Sequence, residues 1–188
     1  DKICLLSYST FFSFMFKKLF LRLLLMFPFS VLSHPHAFID MQTKPLVKDN
    51  QLIGFSTQWL LDEASSSAVL YDMMQTKGDK AAQQKLVDEV MANVVNEHYF
   101  SYVFDKENHK IKYKKQPENY GMRVKGNEVE YYFDFLLAQP QALQNNEFTL
   151  MTYDRTYYVA MRYTEIGKRA VDFSALPANC KGEVLEPN

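Results

Sequence analysis

From Glu128 to Phe135 the residues alternate in character, with Val129, Tyr131, Phe133 and Phe135 on one side and Glu128, Glu130, Tyr132 and Asp134 on the other. A repeat of two is the side-chain period of a β-strand and does not fit a helix. The stretch therefore predicts a strand with one face in a core and the other in water. Such half-wetted strands belong to antiparallel sheets. Similar patterning predicts strands at 37–43, 51–61, 100–105, 109–115, 120–125, 147–153 and 156–163. Turn residues separate them at Asp49-Asn50, Lys106-Glu107-Asn108, Gly126-Asn127 and Asn145-Asn146. The exception is 79–98, where Leu86, Val87, Val90, Met91, Val94 and Val95 recur at spacings of three and four, with Asp79 placed as an N-cap. A shorter helix is predicted at 63–74. The expected fold is α+β, an antiparallel β-sandwich with a helical insertion of one long and one short helix after the second strand.

The first 33 residues follow a different logic. Phe16-Lys17-Lys18-Leu19-Phe20-Leu21-Arg22 followed by Leu23-Leu24-Leu25-Met26-Phe27 has the basic-then-apolar order of a secretory signal, and Val31-Leu32-Ser33 suits a cleavage site. Treating residues 5–32 as one membrane span would place three cations inside it, at about 2.5–3.5 kcal/mol each. The expectation is therefore an upstream segment plus signal peptide over 1–33, with translation starting at Met15. Residues 34–188 then form a single soluble periplasmic domain. Cys4 falls in the lost segment, which leaves Cys180 alone and excludes an internal disulfide framework. A formal charge of −1 gives no polycationic footprint for nucleic acid. The sequence shows no Gly-rich phosphate loop, serine nucleophile motif or Cys-x-x-Cys pair, so enzymatic activity is not expected.

Cleavage after Ser33 would make His34-Pro35-His36 the new amino terminus. In an extended chain His34 and His36 project from one face with Cα atoms about 6.6–6.8 Å apart, so both imidazoles can turn onto one ion. Imidazole suits zinc, with nickel, cobalt and copper as alternatives. A terminal His34 could also chelate through its α-amine and Nδ1. Pro35 has no N–H to surrender, which rules out the square-planar amino-terminal site that needs the second amide nitrogen. Asp40 shares the face but lies about 13 Å further along, so other ligands must come from elsewhere in the fold. The carboxylates considered are Asp62 and Glu63 at a strand end and Asp154 in a tight connection. Each also has an ordinary structural reading, since Asp62 or Glu63 could begin a helix and Asp154 could hold a turn. His98 and His109 read as surface or capping residues. Lys110, Lys112, Lys114 and Lys115 read as the wet side of a strand that also guards a sheet edge.

The segments His34-Pro35-His36-Ala37-Phe38-Ile39-Asp40, Trp59 with Asp62-Glu63, Tyr99-Phe100 and Tyr153-Asp154-Arg155-Thr156-Tyr157-Tyr158 together resemble a family of periplasmic proteins whose mature chains open with HPHAF. That family includes the ZevA-type zinc-uptake accessory component, and the likeness spans 34–163, with Arg155 standing where the family more often has proline. The resemblance implies a periplasmic divalent-metal-binding protein working beside a nickel/cobalt-type membrane permease, with zinc the leading metal. The metal positions expected are His34, His36, Asp154, Asp62, Glu63 and Asp40, and no small organic substrate is expected. Two other readings stand beside it. One is a copper oxidase of histidine-brace type, pairing His34 with His98 or His109. The other is a β-sandwich module that docks to a membrane partner without metal.

Overall fold

The computed structural model describes residues 36–163 and 170–185. The signal-peptide reading, His34 and Pro35 fall outside the described residues. The chain opens with a long hairpin, β1 (Ala37–Lys48) and β2 (Gln51–Leu61). Its two-residue turn has both Asp49 and Asn50 at positive φ, the backbone that matches the twist of paired strands and that these two residue types tolerate. The helical insertion follows as α1 (Glu63–Gln75) and α2 (Lys80–Asn96). The remaining strands are β3 (Ser101–Asp105), β4 (Lys110–Ile111), β5 (Glu118–Lys125), β6 (Glu128–Ala142), β7 (Phe148–Thr152) and β8 (Val159–Arg162). They form a large sheet ordered β5-β6-β2-β1-β8 and a small one ordered β4-β3-β7. The α+β class and the insertion after the second strand are as the sequence predicts.

The alternation in β6 reports the core directly. Val129, Tyr131, Phe133, Phe135 and Leu137 are all buried, and they join Trp59, Phe55 and Met41 of neighbouring strands. Val87, Met91 and Val94 of α2 and Val103 and Ile111 of the small sheet belong to the same cluster. One polar thread crosses it. Thr57, Thr43, Tyr163, Thr152 and Ser101 form a chain of hydroxyl contacts of 3.2–3.4 Å that runs from the large sheet to the small one. Buried hydroxyls need partners, and here each sheet supplies the other's.

The strand expected at 109–115 shortens to β4, with Tyr113 bridging to Leu137 of β6, and three further details differ from the pattern-based reading. The first is the end of the long helix, at Asn96 and not at 98. His98, Tyr99 and Phe100 all take positive φ, near +54°, +58° and +50°. A left-handed turn of non-glycine residues costs about 1–2 kcal/mol per residue. Burial offsets it, because the turn drives Tyr99 against Phe133 and Phe135 and sets Phe100 edge-on to Trp59. The second is β8, which pairs parallel to β1, Ala37 opposite Val159 through Asp40 opposite Arg162. β7 belongs to the other sheet, so no hairpin fixes β8 antiparallel to its predecessor. The third is Glu130, on the wet face of β6 yet only 3% exposed. Arg123 and Lys125 both pair with it and cover it.

Candidate functional site

β1 begins one residue after His36, and the structure anchors that beginning from both sides. On the β8 side, the His36 N–H donates to the Tyr158 carbonyl at 2.8 Å, and the His36 imidazole lies 4.8 Å from the Tyr158 ring. On the β2 side, the Phe38 N–H donates to Asp62 Oδ2 at 2.6 Å, while the Asp62 N–H donates back to the Phe38 carbonyl at 3.1 Å. His36 is left exposed on this braced backbone.

Asp62 has two structural tasks. Besides holding Phe38, its Oδ1 accepts from Ser65 N at 2.7 Å as the N-cap of α1, satisfying a donor that the first helical turn leaves unpaired. Burial works to raise its pKa, but the N–H groups of Ser65 and Phe38 favour the charged form and leave the carboxyl below its ordinary value. Glu63, the next residue, is exposed in the first turn of α1 and borders a shallow cleft of about 360 Å³ with Ser67, Leu70, Tyr71, Met74 and Asn127.

Asp154 is the hub of the loop between β7 and β8. Its Oδ1 accepts from Thr156 N and its Oδ2 from Val159 N, at 2.8 and 2.9 Å, while Thr156 Oγ1 lies 2.8 Å from both oxygens. A carboxylate offers about four lone-pair directions, and the two N–H groups and the single Thr156 hydroxyl proton fill three of them. The residue is 7% exposed. Burial pushes its pKa up, and the backbone donors of Thr156 and Val159 more than reverse this, so the pKa is lowered. The loop wound around it puts Tyr157 at φ 57° and presents Tyr157 and Tyr158 to solvent.

Asp40 faces β8 across the parallel pair, and Arg162 clamps its Oδ1 through Nε and Nη2 at 3.0 and 2.9 Å. Arg162 also lies over the Phe38 ring, 5.0 Å from its centroid. Of the six positions expected to bind metal, the structure thus gathers His36, Asp40, Asp62 and Asp154 around the first residues of β1. It gives the three carboxylates protein partners, leaves Glu63 exposed, and does not describe His34. Tyr158 as the ring against His36, and Arg162 as the partner of Asp40, had no sequence signal, because both follow from the parallel register of β8.

Among the described residues, the group of three His and carboxylate side chains whose ligand atoms lie within 4.8 Å of one another is Asp105, Glu107 and His109. It occupies the exposed β3–β4 turn. There Asp105 Oδ1 accepts the N–H groups of Glu107 and His109, and Oδ2 lies 3.2 Å from His109 Nδ1. Sequence reading passed over it because Asp105 sits at a strand end, where a carboxylate that holds a turn is common. His98 sits elsewhere, its ring 6.2 Å from that of Tyr102.

Residues 19–188 match the family described as a protein of unknown function (DUF1007). The chain belongs to this family. A Haemophilus influenzae protein described as an uncharacterized protein is 60% identical to it over 160 residues, which is 85% of this chain and 76% of that one. No solved structure matches. The DUF1007 match includes the whole braced region, from the His36 segment through the Asp154 loop.

Proposed function

We propose that this DUF1007 protein is a periplasmic, ZevA-like accessory protein that binds a divalent transition metal, zinc first, and passes it to or from a nickel/cobalt-type membrane permease. The metal is held by the imidazoles of His34 and His36. The observation that supports this most is the placement of His36, an exposed imidazole on a backbone anchored from both sides and steadied by the Tyr158 ring. A transfer site needs ligands that are oriented before the metal arrives yet remain open to exchange. On this reading Asp62, Asp154 and Asp40 orient the strand. Hydrogen bonds take both oxygens of Asp62 and Asp154, and an ion pair takes one oxygen of Asp40.

Isothermal calorimetry with Zn²⁺ tests the reading. His34→Ala with His36→Ala should lower zinc affinity at least tenfold while changing the metal-free unfolding midpoint little, because the His36 side chain is exposed and its strand is braced through backbone groups. Equal zinc binding by the double variant and the parent chain would refute it. Asp154→Asn should do the reverse, lowering metal-free stability.

A further inference from the structure

The outer face of the small sheet carries a different chemistry. Val103, Ile111 and Leu150 pair across β4, β3 and β7 and point inward. The alternate residues Tyr102, Phe104, Lys110, Thr149 and Met151 therefore point outward. Tyr102 is the centre of this face. The Tyr153 ring lies 4.9 Å from its own, Lys110 Nζ is 4.5 Å from its centroid, and His98 stacks at 6.2 Å. Arg155 stands beside the phenol and draws its pKa down, against the larger effect of burial. Met151 is 49% and Tyr153 44% exposed, which is considerable for side chains of this size.

The cations set around Tyr102, Lys110 and Arg155, engage that residue and not an acid. Among the described residues no carboxylate lies within ion-pair range of Lys110, Lys112, Lys115 or Arg155, whereas Lys106 and Lys114 are paired with Glu107 and Glu118. Glu97 is the acid felt by Tyr102, and Asp105 is occupied at the hairpin tip by His109 and the turn. Lys110 and Arg155 thus give this face two cations without a carboxylate partner among the described residues.

We propose that this face rests on the surface of an anionic phospholipid bilayer. Tyrosine and methionine can sink their apolar parts to headgroup depth, and lysine and arginine extend to the phosphates. An outward sheet face carrying cations and half-exposed Met151 and Tyr153 suits such a surface. A peptide segment gains its affinity from a groove or an open strand edge instead. The proposal does not depend on metal binding, and each can fail alone.

Residues 1–33 contain an apolar run that will itself hold the full chain on vesicles, so orientation is the readout and not total binding. In a Cys4→Ser, Cys180→Ser background, a fluorophore is attached through Met151→Cys on this face or Tyr71→Cys on α1. The labelled chains are added to phosphatidylcholine vesicles, with or without phosphatidylglycerol, that contain headgroup-level quencher lipids. The label at 151 should be quenched when phosphatidylglycerol is present and the label at 71 should not. Lys110→Gln with Arg155→Gln should lower the ratio of docked to undocked protein roughly 25-fold, about fivefold per cation. Equal quenching at 151 and 71, or quenching indifferent to phosphatidylglycerol or to the paired variant, would overturn the proposal. A response at 151 to soluble polyglutamate and not to the vesicles would also overturn it, and would identify an acidic protein segment as the occupant.

Discussion

Asp154→Asn separates the two roles that this carboxylate could have. In the folded chain its two oxygens face two backbone donors, Thr156 N and Val159 N, one on each side. An asparagine presents one oxygen and one NH₂ group, so in either orientation an N–H meets another N–H. One charge-assisted bond, at about 1.5–3 kcal/mol, is lost, and a shielded donor is left unpaired. Allowing for overlap between these costs, the expected loss is about 2–4 kcal/mol, or roughly 4–16 °C in melting temperature for a chain of this size. Urea titration of metal-free protein measures it, with an unchanged m-value showing that the midpoint shift is a change in stability. The pH dependence gives a second check. A carboxyl with a folded pKa below its unfolded value stabilises above the unfolded value, near 3.9, and that contribution disappears as pH falls through the folded value. The parent should therefore lose stability faster than the variant as pH is lowered from about 5. A variant within about 0.5 kcal/mol of the parent would refute the structural role. If it also lost zinc affinity, the carboxylate would be a ligand.

Other perturbations probe the scaffold, each by chemical denaturation. Gly54→Ala would place a Cβ 2.8 Å from Leu136 Cα and against the Phe135 carbonyl; backbone cannot yield as a side-chain tip can, and a loss of about 2–4 kcal/mol is expected. His98→Gly should stabilise by about 0.5–1 kcal/mol, because glycine removes the cost of a left-handed backbone at an exposed position. Tyr99→Gly relieves the same strain but deletes a ring only 2% exposed and should cost about 3–5 kcal/mol. If both changes moved stability in the same direction, the account of the turn would be wrong. Tyr163→Phe breaks the hydroxyl chain between Thr43 and Thr152 and should cost about 1–2 kcal/mol.

Much of the fold was legible because the sequence carries it locally. The two-residue period of 128–135 marked its buried face correctly at every apolar position, and the spacing of Val87, Met91 and Val94 did so for α2. Asp79 caps α2 as predicted, its Oδ1 accepting the N–H groups of Ala81 and Ala82. What local pattern could not carry was pairing over distance. The parallel β1–β8 register joins residues about 120 positions apart, and the left-handed turn at 98–100 answers to aromatic partners on β6 and β2. Neither demand appears in the turn's own sequence.

The candidate site shows why a carboxylate's role is harder to read than its position. Asp40, Asp62 and Asp154 were singled out as acids that could reach a metal, and the fold does bring them to the start of β1 beside His36. Among the described residues their ligand atoms do not form a group of three within 4.8 Å of one another, so proximity does not by itself make a four-ligand site. Counting acceptor directions weakens that reading further. Asp154 receives three donors against about four lone-pair directions, Asp62 is shared between a helix cap and the Phe38 amide, and Asp40 is clamped at one oxygen by Arg162. Metal drawn onto Asp154, or onto the Asp40 Oδ1 and Asp62 oxygens already in use, would compete with the bonds that hold the strand carrying His36. The ligand would then be bound at the expense of its own mount. A site built for exchange works better with the duties divided, the imidazoles taking the metal and the carboxylates holding the backbone.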